Sequence, residues 1–95
     1  MLLLLGIFIA GNAQNSILEA RGMAVGTVVT VKGIVTNGAE LGVIRYFQDN
    51  TAGIAAYGSA VNGVNRGDSV TITGTLKNYN QLLELDPVSN VTIRS

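Results

Sequence analysis

The sequence predicts an all-β fold in the form of a small closed barrel of five strands. Three observations lead to this prediction: apolar and polar residues alternate in runs rich in Val, Thr and Ile, glycine-rich turns separate these runs, and 95 residues limit the chain to one domain. Alternation with a period of two places one face of each strand in a core and the other in solvent. Because so short a chain buries only a modest core, closing the sheet is a plausible way to protect its edges.

The composition excludes several classes of function. The chain has no Cys, and therefore neither a disulfide nor a Cys-ligated metal, and no His, the commonest general base and metal ligand near neutral pH. Six Lys and Arg residues balance six Asp and Glu residues, which argues against strong electrostatic capture of nucleic acid or of a membrane surface. No nucleophile–base pair or phosphate-binding loop is recognisable, so we predict no enzyme activity, no metal and no cofactor.

The first 13 residues differ in kind from the rest of the chain. An uncharged apolar run over residues 1–10 is followed by Gly11-Asn12-Ala13, with small residues at the first and third places. This pattern is typical of a secretory signal and is too short to span a bilayer, although no Lys or Arg precedes the run. A buried N-terminal strand or helix is the alternative. We predict a cleavable signal peptide over residues 1–13, a mature domain over residues 14–95 without a membrane span, and a secreted, periplasmic or cell-surface location.

The mature domain begins with one predicted helical turn and a long strand. Ser16 is the predicted N-cap, Glu19 completes a capping box three residues later, and Gly22 ends the turn. The first strand covers residues 25–36. Gly33 lies inside it, and a glycine within a strand often marks a bulge or a bend where one strand serves two sheets.

A hairpin forms the centre of the predicted barrel. Its strands cover residues 43–49 and 53–57, and Asp49 caps the tight polar turn between them. Alternation places Phe47, Ile54 and Ala56 inside, and Tyr46, Gln48, Ala55 and Tyr57 on the outer face. Arg45 shares the parity of Phe47, so we expect it to leave the core at the end of the strand.

The rest of the chain supplies two more strands. A connection over residues 58–65, with room for one helical turn, leads to the Arg66-Gly67-Asp68 turn, which spells an adhesion tripeptide but suits a strand opening better. The fourth strand covers residues 70–76 and the fifth covers 81–86, where Pro87 ends it; residues 91–94 resume extended structure and close the barrel. The predicted core contains Val29, Val31, Phe47, Ile54, Ile72 and Leu85.

Five strands with these lengths and turns fit a Greek-key barrel of the OB type, whereas an immunoglobulin-like sandwich needs about seven strands. The chain also resembles a known family. The segments that carry the resemblance are residues 20–21, 25–27, 29–36, 46–54, 67–76, 79–80 and 83–85. The most specific motifs among them are the turn Tyr46-Phe47-Gln48-Asp49 and the strand Gly67-Asp68-Ser69-Val70-Thr71-Ile72-Thr73-Gly74. They are similar to the OB-fold nucleic-acid-binding domains of secreted bacterial proteins, of the nuclease-associated and Bacteroidota surface-protein type.

The resemblance covers nearly all of the mature domain and implies an OB fold with nucleic acid as the ligand. It implies no catalysis, because no nuclease domain accompanies the module. One departure is Ala52, where the family usually has the second glycine of the turn. A second OB class, the small periplasmic stress proteins, matches fewer residues.

Three tyrosines are the main candidate ligand contacts. OB folds bind ligands on the face of strands 2 and 3, between the loops that join strands 1–2 and 4–5. Tyr46 and Tyr57 fall on those strands and Tyr79 falls in the 4–5 loop, and each stacked base would contribute about 1–3 kcal/mol. Basic side chains, Arg45 among them, are near enough in topology to contact phosphates. The predicted ligand-binding set is Tyr46, Tyr57, Tyr79, Lys32, Lys77 and Gln48.

Two functional hypotheses follow. The first is a non-catalytic module that binds single-stranded nucleic acid, DNA in particular, by tyrosine stacking; the alternative is an oligosaccharide- or protein-binding or structural module. Basic residues clustered around the tyrosines would favour nucleic acid, whereas dispersed charges beside exposed tyrosines would favour a sugar or a protein. The tyrosines can also simply pack on one another. Glu84 and Asp86 point the same way on the fifth strand, and we expect them to form a solvated face rather than an incomplete cation site.

Overall fold

The computed structural model describes residues 14–94, which form an all-β barrel with one short helix. The predicted signal peptide over residues 1–13 lies outside the described residues. The elements are α1 (Ile17–Arg21), β1 (Val28–Val35), β2 (Ile44–Gln48), β3 (Gly53–Tyr57), β4 (Ser69–Tyr79) and β5 (Leu82–Ile93), with single 3-10 turns at Ala39–Leu41 and Ser59–Val61. Between Gln14 and Arg94, no helix has the length and apolar content that crossing a bilayer requires.

The five strands close into a barrel in the order β1-β2-β3-β5-β4, with β4 hydrogen-bonded back to β1. All neighbouring pairs are antiparallel except β3 and β5, which run parallel. The predicted fold class, a five-stranded OB-type barrel, is therefore confirmed. Closing the sheet in this way removes the free edges that an open sheet of this size would present.

The position of the closing contact differs from the prediction. Ala55 and Ala56 of β3 pair with Glu84 and Leu85 of β5, so the barrel closes in the first half of β5. The prediction that residues 91–94 close it is wrong, because Val91 to Ile93 pair only with β4. Pro87 does not end the strand either: the β4–β5 register shifts beside it, and such an irregularity is where a sheet tolerates a proline that cannot donate a hydrogen bond.

The interior contains all the predicted core residues. Val29, Val31, Phe47, Ile54, Ile72 and Leu85 belong to one cluster of buried side chains, which confirms the strand parity. Val61 and Val64 join this cluster from the connection between β3 and β4, which has no periodic pattern of apolar residues. The 3-10 turn at Ser59–Val61 is the helical turn for which that connection has room.

Gly33 lies where β1 changes partners. β1 pairs with β4 from Val28 to Ile34 and with β2 at Ile34 and Val35. A Cβ atom on Gly33 would lie 2.6 Å from the carbonyl oxygen of Gln48, closer than real Cβ contacts come. Only glycine lets the two backbones approach this closely, in keeping with the predicted bend.

Helix α1 has the predicted capping box. The Ser16 Oγ accepts a hydrogen bond from the Glu19 backbone N–H at 3.1 Å, and Glu19 Oε1 accepts one from the Ser16 N–H at 2.9 Å. Ile17 and Ala20 are fully buried in the core cluster, so this short helix covers part of the barrel. Its stability comes from that packing, since five residues are too few for an independent helix.

Asp49 fastens α1 to the β2–β3 turn. Its Oδ2 accepts from the Ile17 backbone N–H at 2.9 Å, while Oδ1 accepts from the N–H groups of Thr51 at 2.8 Å and Ala52 at 3.0 Å. The predicted turn-capping role is confirmed, and the bond to the helix is additional. Partial burial acts to raise the pKa of Asp49, but the Thr51 hydroxyl and these backbone donors outweigh it and hold the pKa well below its ordinary value.

Candidate ligand site

The outer face of β2, β3, β5 and the end of β4 carries the candidate site. Tyr46 lies opposite Ala55, Ala55 opposite Glu84, and Glu84 opposite Lys77, so one row of side chains crosses four strands. Tyr57 occupies the next row, opposite Ile44. Ala55 lies on this face as predicted, yet it is fully buried rather than exposed. The physical reason is its size, since a methyl group is overshadowed by the larger side chains around it.

All three tyrosines expose a large part of their rings. The exposed fractions are 36% for Tyr46, 44% for Tyr57 and 57% for Tyr79. Tyr79 is the last residue of β4 rather than part of a loop, because β4 continues three residues beyond the predicted end. Asn80 and Gln81 then form the two-residue turn to β5, both with positive φ. The strand therefore holds Tyr79 on regular structure.

An open pocket of about 370 Å³ lies on this face, within the roughly 300–1,000 Å³ common for ligand pockets. We call it the tyrosine pocket. It is lined by Ile44, Tyr57, Lys77, Tyr79, Leu82, Glu84 and Asp86. A smaller depression of about 170 Å³ shares Tyr57 and Asp86 with it and continues along residues 58–60 and 87–88. The two depressions therefore adjoin at these two side chains.

The structure divides the predicted ligand-binding set. Tyr57, Tyr79 and Lys77 come together in the tyrosine pocket. Tyr46, Gln48 and Lys32 do not line it: Gln48 lies at the far end of the β2–β3 hairpin, and Lys32 lies opposite Thr71 on the β1–β4 side of the barrel. Sequence reasoning missed Ile44 and Leu82, the apolar lining, although Ile44 shares the outward parity of Tyr46.

The charges in the tyrosine pocket are mixed. Lys77 Nζ lies 3.3 Å from Asp86 Oδ2, and both side chains are partly exposed. Glu84 is only 3% exposed, so the prediction that Glu84 and Asp86 form a solvated face is wrong for Glu84. One lysine beside two carboxylates leaves the pocket with one net negative charge when all three are ionised.

The pKa of Glu84 reflects this environment. Burial raises the pKa of the Glu84 carboxyl above its ordinary value, the neighbouring Asp86 carboxylate raises it further, and Lys77 partly opposes both effects. The outward-facing position of Glu84 on its strand predicts a side chain in solvent. It is buried because β5 lies between β3 and β4 at this point, and larger side chains from the neighbouring strands cover it.

Arg45 has a structural role that the sequence did not indicate. It is 1% exposed, and its guanidinium donates to the backbone carbonyl oxygens of Val64 at 2.8 Å, Gly42 at 2.6 Å and Ile44 at 3.0 Å. The expectation that Arg45 leaves the core, and that it can contact phosphates, is therefore wrong. Its donors are already engaged in fixing the segments before β2 and after the 3-10 turn at Ser59–Val61.

Other ligating groups are scarce around the barrel. In the part of the chain that the structure describes, no three Asp or Glu side chains come together in a cluster that could hold a metal ion. The Arg66-Gly67-Asp68 segment forms the predicted turn, with Gly67 at φ +90° and the Asn65 N–H donating to Asp68 Oδ2 at 2.9 Å. The tyrosine pocket is therefore the candidate ligand site.

Comparison with known proteins supports the fold. No protein-family model matches the chain, and no curated protein matches it. Among solved structures, the hypothetical protein ygiW of E. coli superimposes with a TM-score of 0.71 at 21% identity, covering 87% of this chain and 91% of that chain. The shared feature is the small OB-like barrel. At this identity the likeness concerns the fold alone, and no match supports the nuclease-associated family that the sequence resembles.

Proposed function

We propose that this barrel is a non-catalytic binding module whose tyrosine pocket holds an oligosaccharide. The observation that supports the proposal most directly is the combination of two exposed tyrosine rings with two carboxylates, in a pocket whose lysine is already paired with Asp86. OB-type barrels bind both oligonucleotides and oligosaccharides on this face, so the fold allows either ligand. The side chains of the pocket support the choice of an oligosaccharide.

Sugar rings match the chemistry of the pocket. The rings of Tyr57 and Tyr79 provide flat apolar surfaces for the C–H face of a pyranose, and Ile44 and Leu82 extend that surface. Ring hydroxyls can donate hydrogen bonds to the carboxylate of Asp86 and accept them from the ammonium of Lys77. Since the adjoining depression prolongs the pocket, an oligomer of two or three sugar units suits the two depressions better than a single unit.

The basic side chains around the tyrosines offer little support for binding of single-stranded nucleic acid. That ligand remains an untested prediction. Affinity for nucleic acid comes largely from neutralising phosphates with Lys and Arg side chains. Here Lys77 is paired with Asp86, Arg45 is buried against carbonyl oxygens, and Lys32 lies on another side of the barrel. A phosphate chain placed along the tyrosines would also meet the Glu84 carboxylate. Dispersed charges beside exposed tyrosines are the arrangement that favours a sugar.

The proposal is tested by isothermal titration with three neutral trisaccharides, the trimers of β-1,4-glucose, β-1,4-N-acetylglucosamine and α-1,4-glucose, and with oligo-dT at low salt. We expect at least one trisaccharide to bind, and Tyr57→Ala to weaken it about tenfold through loss of roughly 1.4 kcal/mol of ring contact. Tyr46→Ala is the matched control, because Tyr46 is exposed on the same face but does not line the pocket. The control should keep the affinity of the wild type.

Two results would contradict the proposal. Tight binding of oligo-dT that falls steeply with added salt, without binding of any trisaccharide, would identify the barrel as a nucleic-acid-binding module. Failure of every ligand to bind would assign this face to a protein contact or to a structural role. Melting temperatures of both tyrosine variants close to that of the wild type would show that any loss of affinity is local.

A further inference from the structure

Glu84 is the residue of the tyrosine pocket that a neutral sugar leaves unexplained. It lines the pocket, yet it is 97% buried, and within residues 14–94 its carboxylate forms no hydrogen bond or ion pair with the protein. Its oxygens are not completely buried, because among the described residues no completely buried side-chain oxygen lacks a hydrogen-bond partner. Buried carboxylates are normally hydrogen-bonded or paired, so this one is unusual.

The lysine of the pocket is paired with another carboxylate. Lys77 lies directly opposite Glu84 in the β4–β5 register, but its ammonium is within 3.3 Å of Asp86 instead. The other titratable groups that line the pocket are the phenols of Tyr57 on β3 and Tyr79 on β4, and β2 contributes only Ile44. Burial and the Asp86 carboxylate both raise the pKa of Glu84, and Lys77 opposes them only in part.

We propose that the pocket selects a sugar bearing a protonated amino group, whose ammonium donates hydrogen bonds to the Glu84 carboxylate. This proposal rests on the oligosaccharide function and names its substrate class. The amino group supplies the missing partner of Glu84, and it neutralises the net negative charge of the pocket. The exposed faces of Tyr57 and Tyr79 attract a cation as well, because the face of an aromatic ring is negative.

A neutral substituent in place of the amino group matches this site less well than an ammonium does. A hydroxyl or an N-acetyl group donates one hydrogen bond without charge, whereas an ammonium donates up to three and carries the charge that the buried carboxylate lacks. A free amino sugar should therefore bind more tightly than its N-acetylated or hydroxylated counterpart. A sugar phosphate or a uronic acid should bind more weakly, since its negative charge would face Glu84.

Three trimers with the same β-1,4 linkage separate these cases: those of glucose, N-acetylglucosamine and glucosamine, which carry a hydroxyl, an acetamido and an amino group at the second carbon. We expect the glucosamine trimer to bind at least about tenfold more tightly than the glucose trimer by titration calorimetry near neutral pH. Glu84→Gln should abolish this preference, so that the three trimers bind the variant with similar affinities. Glu40→Gln, an exposed carboxylate outside the pocket, is the control and should keep the preference.

Equal affinities for the three trimers in the wild type, or a preference that persists in Glu84→Gln, would overturn this inference and leave the oligosaccharide function standing. An equal loss of preference in Glu40→Gln would also overturn it, because it would show attraction to the overall charge of the chain. If none of the three trimers bound, both proposals would be overturned. A melting temperature of Glu84→Gln at or above that of the wild type confirms that the variant folds.

Discussion

The Lys77 ammonium lies 3.3 Å from the Asp86 carboxylate at the pocket that also exposes Tyr57 and Tyr79. A partly exposed ion pair of this kind contributes little to stability. Its importance is that the positive charge of Lys77 is already engaged by Asp86 and is less available to a ligand. A phosphate would have to compete with Asp86 for the lysine. An uncharged hydroxyl can share both groups without breaking the pair.

Lys77→Gln tests this reading of the ion pair. We expect the free energy of unfolding to change by less than about 0.5 kcal/mol, as is usual for exposed pairs, and the affinity for a neutral trisaccharide to fall only a few-fold. Chemical denaturation and calorimetry measure the two quantities. If Lys77→Gln instead removed a measurable affinity for oligo-dT, the lysine would be a phosphate contact.

Glu84→Gln should stabilise the protein at neutral pH, because it removes an unpaired and buried charge. The folded-state pKa of Glu84 lies above its ordinary value of 4.5, so the native state binds more protons than the unfolded state between these two values. Ionisation of Glu84 therefore costs stability as the pH rises through that window. The advantage of the variant should shrink as the pH is lowered towards 4.5, and an advantage that is constant with pH would show that Glu84 is not the cause.

Asp49→Asn should have the opposite dependence on pH. The folded-state pKa of Asp49 is held below its ordinary value of 3.8, so the unfolded state binds more protons and the stabilisation is lost as the pH falls below about 3.8. At neutral pH the variant should be about 1–2 kcal/mol less stable, since one acceptor for the backbone N–H groups of Ile17, Thr51 and Ala52 is replaced by a donor. Urea denaturation at several pH values measures both effects. Equal acid sensitivity in the two proteins would contradict this assignment.

Arg45→Met should destabilise the barrel by about 1–3 kcal/mol. Methionine fills a similar volume, but it leaves the carbonyl oxygens of Val64 and Gly42 without their donor in a buried position. Since replacing buried charges by apolar groups is sometimes stabilising, the sign of the effect is informative. An unchanged or higher stability would show that these carbonyls find other partners.

Gly33→Ala and Gly63→Ala form a matched pair. A Cβ at position 33 would lie 2.6 Å from the backbone carbonyl oxygen of Gln48, whereas one at position 63 would meet no atom within 4 Å. Gly33→Ala should therefore cost about 1–3 kcal/mol through forced displacement of β1 from β2, while Gly63→Ala should be neutral or slightly stabilising. Similar melting temperatures for the two variants would contradict the close approach at Gly33.

The fold could be predicted from the sequence because its signals are local. Period-two alternation placed Phe47 and Ile54 in the core, and the Ser16–Glu19 capping box placed α1, since these patterns depend on neighbouring residues alone. The continuation of β5 past Pro87 could not be predicted in this way, because it depends on the register against β4.

The site could be predicted only in part. Tyr57, Tyr79 and Lys77 are brought together as the topology implied, yet Lys77 turned out to be paired, which depends on the cross-strand distance to Asp86. The burial of Arg45 and Glu84 could not be predicted, and the reason is the same for both. Burial of a charged residue depends on backbone carbonyls and flanking side chains from distant segments, which no local pattern records.

The most direct test of the account is to map a bound sugar on the protein by two-dimensional NMR, using amide chemical shifts recorded during titration with the trimer of β-1,4-glucose. We predict that the largest shifts occur at Ile44 and in the other segments that line the tyrosine pocket and the adjoining depression, residues 57–60, 77–79 and 82–88, with small changes at Lys32 and Gln48. Shifts concentrated on the β1–β4 side of the barrel around Lys32, or no shifts at the highest sugar concentration, would contradict it.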